Sequence, residues 1–223
     1  MVASATPITN TPSRTTIFSA LMAANGSAGH AYLSSPDLVS GRNATRNLAD
    51  VIHHVSLLHG RHPGVIDHAA LHIAHPDLRA WFSAATEAFA RERSTLTKLV
   101  VAIGPIPSTP GQAQTESAVL GQRHALDMLA QSDRVGCAFG AAAALILDWA
   151  AIRTVLNFAA KRIGVEIVDC TFPTADLTYA AAEAVAETAA IERAVTFGAQ
   201  QLLTQHRGLW DLIQSRQASR GDD

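Results

Sequence analysis

This chain predicts an all-α, single-domain bundle of about seven helices. Three observations carry that reading. Apolar residues recur at spacings of three and four along nearly the whole sequence. Ala, Leu and Gln are frequent, while alternating β-branched runs are rare. Gly and Pro cluster at separated points that would end helices. With 223 residues the chain is long enough for one domain with a sizeable core. The expected organisation is a disordered tail over 1–14, a helical bundle over 15–216 and a disordered tail over 217–223.

The elements follow in order. A first helix over 15–24 is ended by Asn25 and Gly26. A second covers 44–58 and stops near Gly60, and a short third follows Pro63 over 65–74 until Pro76. A long fourth runs over 77–103 and is closed by Gly104 and Pro105. The loop 104–111, with three prolines in eight residues, is the clearest break in the chain. Beyond it, 112–131 is helical. A helix over 133–163 then bends near Gly136 or Gly140 and is stopped by Gly164. Val165–Val168 is β-like but isolated, so it reads as an extended connector. The last helix starts after Pro173 and Thr174, with Asp176 near its positive end, and runs to about 205 or, past Gly208, to 216. No self-similarity at solenoid periods is present.

Bulk properties exclude several classes. The formal net charge is -2 and the arginines are scattered, which argues against nucleic acid as a partner. The longest apolar run, 135–147, is ended by Asp148 and falls short of the ~18–20 residues of a membrane span. It reads as a core helix, and no membrane is expected. Residues 1–14 lack the early charge and apolar run of a signal peptide, so a cytoplasmic location is expected. Cys137 and Cys170 are too few for a disulfide framework and read as buried, reduced thiols.

Chemistry concentrates in histidine. Seven of the ten histidines lie between His53 and His75. Imidazole is the side chain that gains or loses a proton, or binds a metal, near neutral pH. His68, His72 and His75 span an arc of only ~60° on a helix, and His68 and His72, four apart, could chelate one ion. A further ligand would come from His59, His62, Asp67 or Glu92. A divalent transition metal is the cofactor this spacing suits. The Glu of a His-Glu-x-x-His protease motif is absent, because Ala69 follows His68. No Glu is followed three residues later by His, which argues against a di-iron bundle. His53 and His54 lie at helical neighbour spacing from Asp50, so a surface hydrogen bond would explain them.

Glu92 interrupts the apolar stripe Leu78, Phe82, Ala85, Phe89, Leu96, Leu99, Ile103. A carboxylate there is either a ligand or general acid, or a buried partner of an Arg or His. On the last helix His206 continues the seam, flanked by Glu192. It is either a satisfied core histidine or part of a site. Asp148, one step off the seam of Leu145, Trp149, Ile152 and Leu156, is expected to pair with an Arg. A haem or another flat ligand could face Gly136 and Gly140, although the same glycines would also let two helices pack closely.

The stretches His59-Gly60-Arg61-His62-Pro63-Gly64, Pro107-Ser108-Thr109-Pro110-Gly111-Gln112 and 122–132 (Gln122, Arg123, His124 through Ser132) resemble an uncharacterised bacterial all-helical family of unknown function. The resemblance covers most of the chain. It implies a helical protein and no activity, cofactor or site residue.

The leading expectation is therefore a metal- or small-molecule-binding bundle, with its site between the 44–75 hairpin and the 77–103 helix. The site residues would be His59, His68, His72 and Glu92, with His62, His75, His206 and Glu192 as secondary candidates. The second reading is a regulatory or interaction bundle with surface histidines, whose Ala-rich stretches 138–144 and 180–190 form a homodimer seam. The sequence names no substrate or reaction.

Overall fold

The computed structural model describes residues 14–71 and 78–220. Most of the expected tails over 1–14 and 217–223 lies outside the described residues, as do His72 and His75. Among the described residues there are nine α-helices and no strand. They are α1 (Arg14–Asn25), α2 (Pro36–Val39), α3 (Ala44–His59), α4 (Val65–Leu71), α5 (Arg79–Ile103), α6 (Gln112–Ala130), α7 (Cys137–Ile163), α8 (Ala175–Val185) and α9 (Ala189–Ser219). The all-α bundle read from the sequence is thus the fold.

The count differs from seven for two physical reasons. Pro36–Val39 forms a single helical turn, because the Ser35 hydroxyl accepts from the Asp37 N–H and Pro36 occupies the first turn. The expected last helix is two, because Thr188 adopts an extended conformation and its hydroxyl caps the Ile191 N–H, 3.3 Å away. No Gly or Pro marks that break. Gly208 does not stop α9, which runs on to Ser219. A Cβ at Gly208 would lie 2.9 Å from Gln122 Nε2, so the small residue serves the crossing of α6 and α9. The Val165–Val168 stretch is neither helix nor strand and connects α7 to α8.

Helix α7 is the centre of the molecule. It packs along α9 and also touches α3, α4, α5, α6 and α8. By length and composition it could cross a membrane, but 78% of its most apolar window is buried inside the fold, which makes it a core helix. The α7–α9 approach is backbone to backbone. A Cβ at Gly140 would overlap the Val195 carbonyl, and one at Gly198 would overlap the Cys137 carbonyl. This corrects two expectations. The space a flat ligand would need beside Gly140 is filled by α9. Ala138 and Ala141–Ala144 are buried within the chain, so this one of the two expected seam stretches is not available to a second copy, while Ala184, Ala189 and Ala190 of the other are exposed. Cys137 is buried but Cys170, in the connector between α7 and α8, is exposed; both are free thiols.

Candidate functional site

Four carboxylates are buried among the described residues: Asp50, Asp67, Glu92 and Asp148. A buried carboxylate must find donors or give up its charge. Three of the four meet arginine. Asp50 of α3 is held by Arg216 and Arg220 of α9, and Asp67 of α4 by Arg93 of α5. Glu92 of α5 takes the Trp149 indole N–H at 2.8 Å on one oxygen and Arg153 on the other. Guanidinium never loses its proton in a protein, so these three sites are electrostatically fixed.

Asp148 is the exception, because its charged neighbour is an imidazole. His206 of α9 donates from Nδ1 to Asp148 Oδ2 at 2.6 Å. Ser27 donates its backbone N–H to Oδ1 at 2.6 Å and its hydroxyl to Oδ2 at 2.5 Å. Trp210 in turn donates its indole N–H to the Ser27 oxygen at 2.9 Å. On the far side of His206, its Nε2 lies 2.9 Å from Nε2 of His59. The result is a continuous chain, Trp210–Ser27–Asp148–His206–His59, crossing the core from α9 through α7 to the C-terminal end of α3.

The electrostatics follow from this geometry. Burial works to raise the Asp148 carboxyl, but the hydrogen bond and attraction of His206 and the two bonds from Ser27 outweigh it and hold the group below its usual range. An ionised carboxylate only accepts, so Nδ1 of His206 carries a hydrogen. One further hydrogen then lies between the two Nε2 atoms. Burial drives His59 well below the ordinary imidazole value, and the neighbouring His206 adds to the effect. His59 is neutral at pH 7, edge-on to Phe89, Trp149 and His206. Ser27 is not placed as a nucleophile. In a serine triad the hydroxyl bonds the imidazole, whereas here it bonds the carboxylate and is fully buried.

His59 also lines a narrow cleft between the α3–α4 turn, α5 and α6. The other linings include Arg61, Gly64, Phe89, Arg123 and Asp127, and the space holds about one water. The turn is pinned by the Asp67 carboxylate, which accepts the Gly64 N–H at 2.8 Å while Arg93 grips it from α5. Arg123 reaches only the Leu57 carbonyl, at 3.5 Å, and neither it nor Arg61 forms an ion pair among the described residues.

The expected site residues are distributed as follows. His59 and His206 are brought together in the relay. Glu92 is buried in the apolar stripe, as its position suggested, but both of its oxygens go to Trp149 and Arg153 rather than to an imidazole. The expected His59–Glu92 pairing is therefore replaced by a shared neighbour, Trp149. His68 is half-buried on α4 and takes no part in the relay. His62 is exposed beside Arg93 and Asp67. Glu192 is half-buried and lines a separate crevice with Ile17 and Phe18. Among the described residues, no group of three or more His, Cys, Asp or Glu side chains is arranged to hold a metal.

Other expectations are corrected. Asp148 pairs with His206 and Ser27 rather than with an Arg. Asp50 lies in the core rather than on the surface. His53 bonds the Gly104 carbonyl, and the buried His54 bonds the backbone carbonyl of Asp50. Sequence reasoning missed Ser27 and Trp210 as site residues. The only signal for Asp148 was that it interrupts an apolar run.

Fold and site thus define an all-helical protein built around a buried carboxylate–imidazole–imidazole chain that ends at a surface cleft. The chain belongs to a family of unknown function (DUF6975), whose profile matches residues 22–221. Searches of curated proteins and of solved structures found no match.

Proposed function

We propose that this protein binds a small oxyanion-bearing molecule, a carboxylate or a phosphate, at the cleft beside His59. One observation carries the reading. The cleft is where the buried chain reaches the surface, and it is also where two arginines, Arg61 and Arg123, lie beside a single carboxylate, Asp127, with no ion pair to either among the described residues. The buried arginines among the described residues, Arg93, Arg153 and Arg216, are each matched to an acid, whereas Arg123 is half-buried and Arg61 exposed. An uncommitted guanidinium offers charge and paired hydrogen bonds to a planar or tetrahedral oxyanion. The water-sized seat takes one ligand oxygen, and the remainder of the ligand lies at the mouth, over the exposed Arg61.

Calorimetric titration with inorganic phosphate and, separately, with acetate tests this. Saturable one-to-one binding of either probe is expected, weakened about tenfold by Arg123→Met, the loss of one charge-assisted contact of ~1.5 kcal/mol. Absence of saturable binding, or equal affinity in the variant, would overturn the reading.

A further inference from the structure

We propose that Asp148, His206 and His59 form a proton relay, and that His59 is the general base of an enzyme acting on the oxyanion-bearing molecule bound in the cleft. This rests on the binding reading above and adds a reaction to it.

The argument starts from the two Nε2 atoms 2.9 Å apart. Two imidazoles at that distance share one hydrogen. In the resting arrangement Asp148 accepts from Nδ1 of His206, Nε2 of His206 accepts from Nε2–H of His59, and Nδ1 of His59 carries the lone pair. That Nδ1 has no hydrogen-bond partner among the described residues.

When a proton is taken from the bound molecule, a bond forms between that proton and His59 Nδ1. The substrate bond breaks, with its electron pair left on the substrate. The Nε2–H of His59 passes to Nε2 of His206. His59 ends neutral, and the positive charge comes to rest on His206, against the Asp148 carboxylate. The cost of charging a buried imidazole is thereby moved to the position where an anion has been placed to meet it. Return of the proton to a neighbouring substrate atom reverses every step. The relay needs no oxidant, metal or second substrate for this, so a proton-shift isomerisation or tautomerisation is the class of reaction it can run alone.

A purely structural network gives no reason for this choice of partner. The other three buried carboxylates are all held by arginine, whose charge cannot change. Asp67 has the exposed His62 3.4 Å away in addition to Arg93, but among the four only Asp148 has an imidazole and no arginine as its charged partner. Ser27 and Trp210 are positioning residues, because they fix the carboxylate that fixes His206. The charged and titratable groups around His59 are His206 on α9, Asp148 beyond it on α7, Arg61 in the turn, Arg123 and Asp127 on α6, and the neutralised Glu92–Arg153 pair across Trp149.

Two measurements on the full chain test the proposal. The first follows the ¹⁵N shifts of both imidazoles between pH 5 and 9 without any ligand. The expected result is one shared protonation step seen by both rings, displaced toward lower pH by a unit or more in Asp148→Asn. Independent titration of the two rings would overturn the relay. The second follows protein-dependent exchange of solvent deuterium into the acidic C–H positions of pyruvate and of dihydroxyacetone phosphate. Exchange is expected to fall at least ~100-fold in His59→Gln, with phosphate affinity changed far less than in Arg123→Met. Exchange at the buffer rate with phosphate binding intact would overturn the catalytic proposal while leaving the binding reading in place. Loss of both would remove the two together.

Discussion

Replacing Asp148 by Asn tests the energetic role of the buried chain with almost no change in shape. Three donors converge on the carboxylate: the Ser27 N–H at 2.6 Å from Oδ1, and the Ser27 hydroxyl at 2.5 Å and His206 Nδ1 at 2.6 Å from Oδ2. An asparagine oxygen can stand in for Oδ2. Its amide nitrogen then faces the Ser27 N–H, donor against donor. One charge-assisted bond of ~1.5–3 kcal/mol is lost, and a buried N–H is left without an acceptor at ~1–3 kcal/mol. Partial relaxation brings the expected total to about 3 kcal/mol, a large share of the ~5–15 kcal/mol that stabilises a typical domain. Urea unfolding at pH 7 should show the midpoint falling by that amount with an unchanged slope.

The sign of the pH dependence follows from the depressed Asp148 carboxyl. Its contribution is complete above the unfolded value of about 3.9 and is lost as pH falls through the lower folded value. The gap between wild type and Asp148→Asn should therefore hold through pH 5 and shrink below pH ~4. A loss under about 1 kcal/mol at neutral pH, or a gap that does not narrow in acid, would refute the reasoning.

Two further perturbations follow from the packing and from His59. Gly140→Ala and Gly198→Ala each drive a methyl into a backbone carbonyl of the facing helix and should cost ~3 kcal/mol or more. Gly121→Ala, in the middle of α6 with open space around it, should be neutral or stabilise by up to ~1 kcal/mol; thermal melts of the three variants compare them directly. His59 stays neutral in the fold while the unfolded chain protonates near 6.5, so the unfolded state binds the extra proton and stability must fall as pH drops below that value. The buried His54 acts in the same direction. Urea midpoints between pH 4.5 and 7 should show His59→Phe with a pH slope smaller by up to ~1.4 kcal/mol per unit, and an unchanged slope would contradict a neutral His59.

The helices were legible because their signals are local. Apolar spacing, Gly104 and Gly164 at helix ends, and the Thr174 cap depend on residues a few positions apart. The Thr188 break was not legible, because a single threonine inside an Ala-rich run looks like any other seam position until its backbone turns extended. Glu92 and His206 could each be recognised as polar groups on apolar stripes. Their partners could not, since those lie far away in sequence: Arg153 is 61 positions from Glu92, and His59 is 147 from His206. The reading placed Glu92 beside the imidazoles of the His-rich hairpin, whereas the acid that meets an imidazole is Asp148, through His206 of α9. It assigned the acid to the wrong helix, because nothing local distinguishes Glu92, with an arginine one α7 turn beyond Trp149, from Asp148, with a histidine across the core. Ser27 carried no signal at all. It follows Gly26 in a short turn and acquires its role only when α7 and α9 close around it.

The bond between the two rings can be observed directly. A ¹⁵N–¹⁵N scalar coupling across the hydrogen bond, measured between Nε2 of His59 and Nε2 of His206 in uniformly labelled protein at pH 7, should be present and should vanish in His59→Gln. A spectrum in which both rings are assigned and slowly exchanging, yet show no coupling, would mean that the imidazoles do not share a hydrogen and that the buried chain ends at His206.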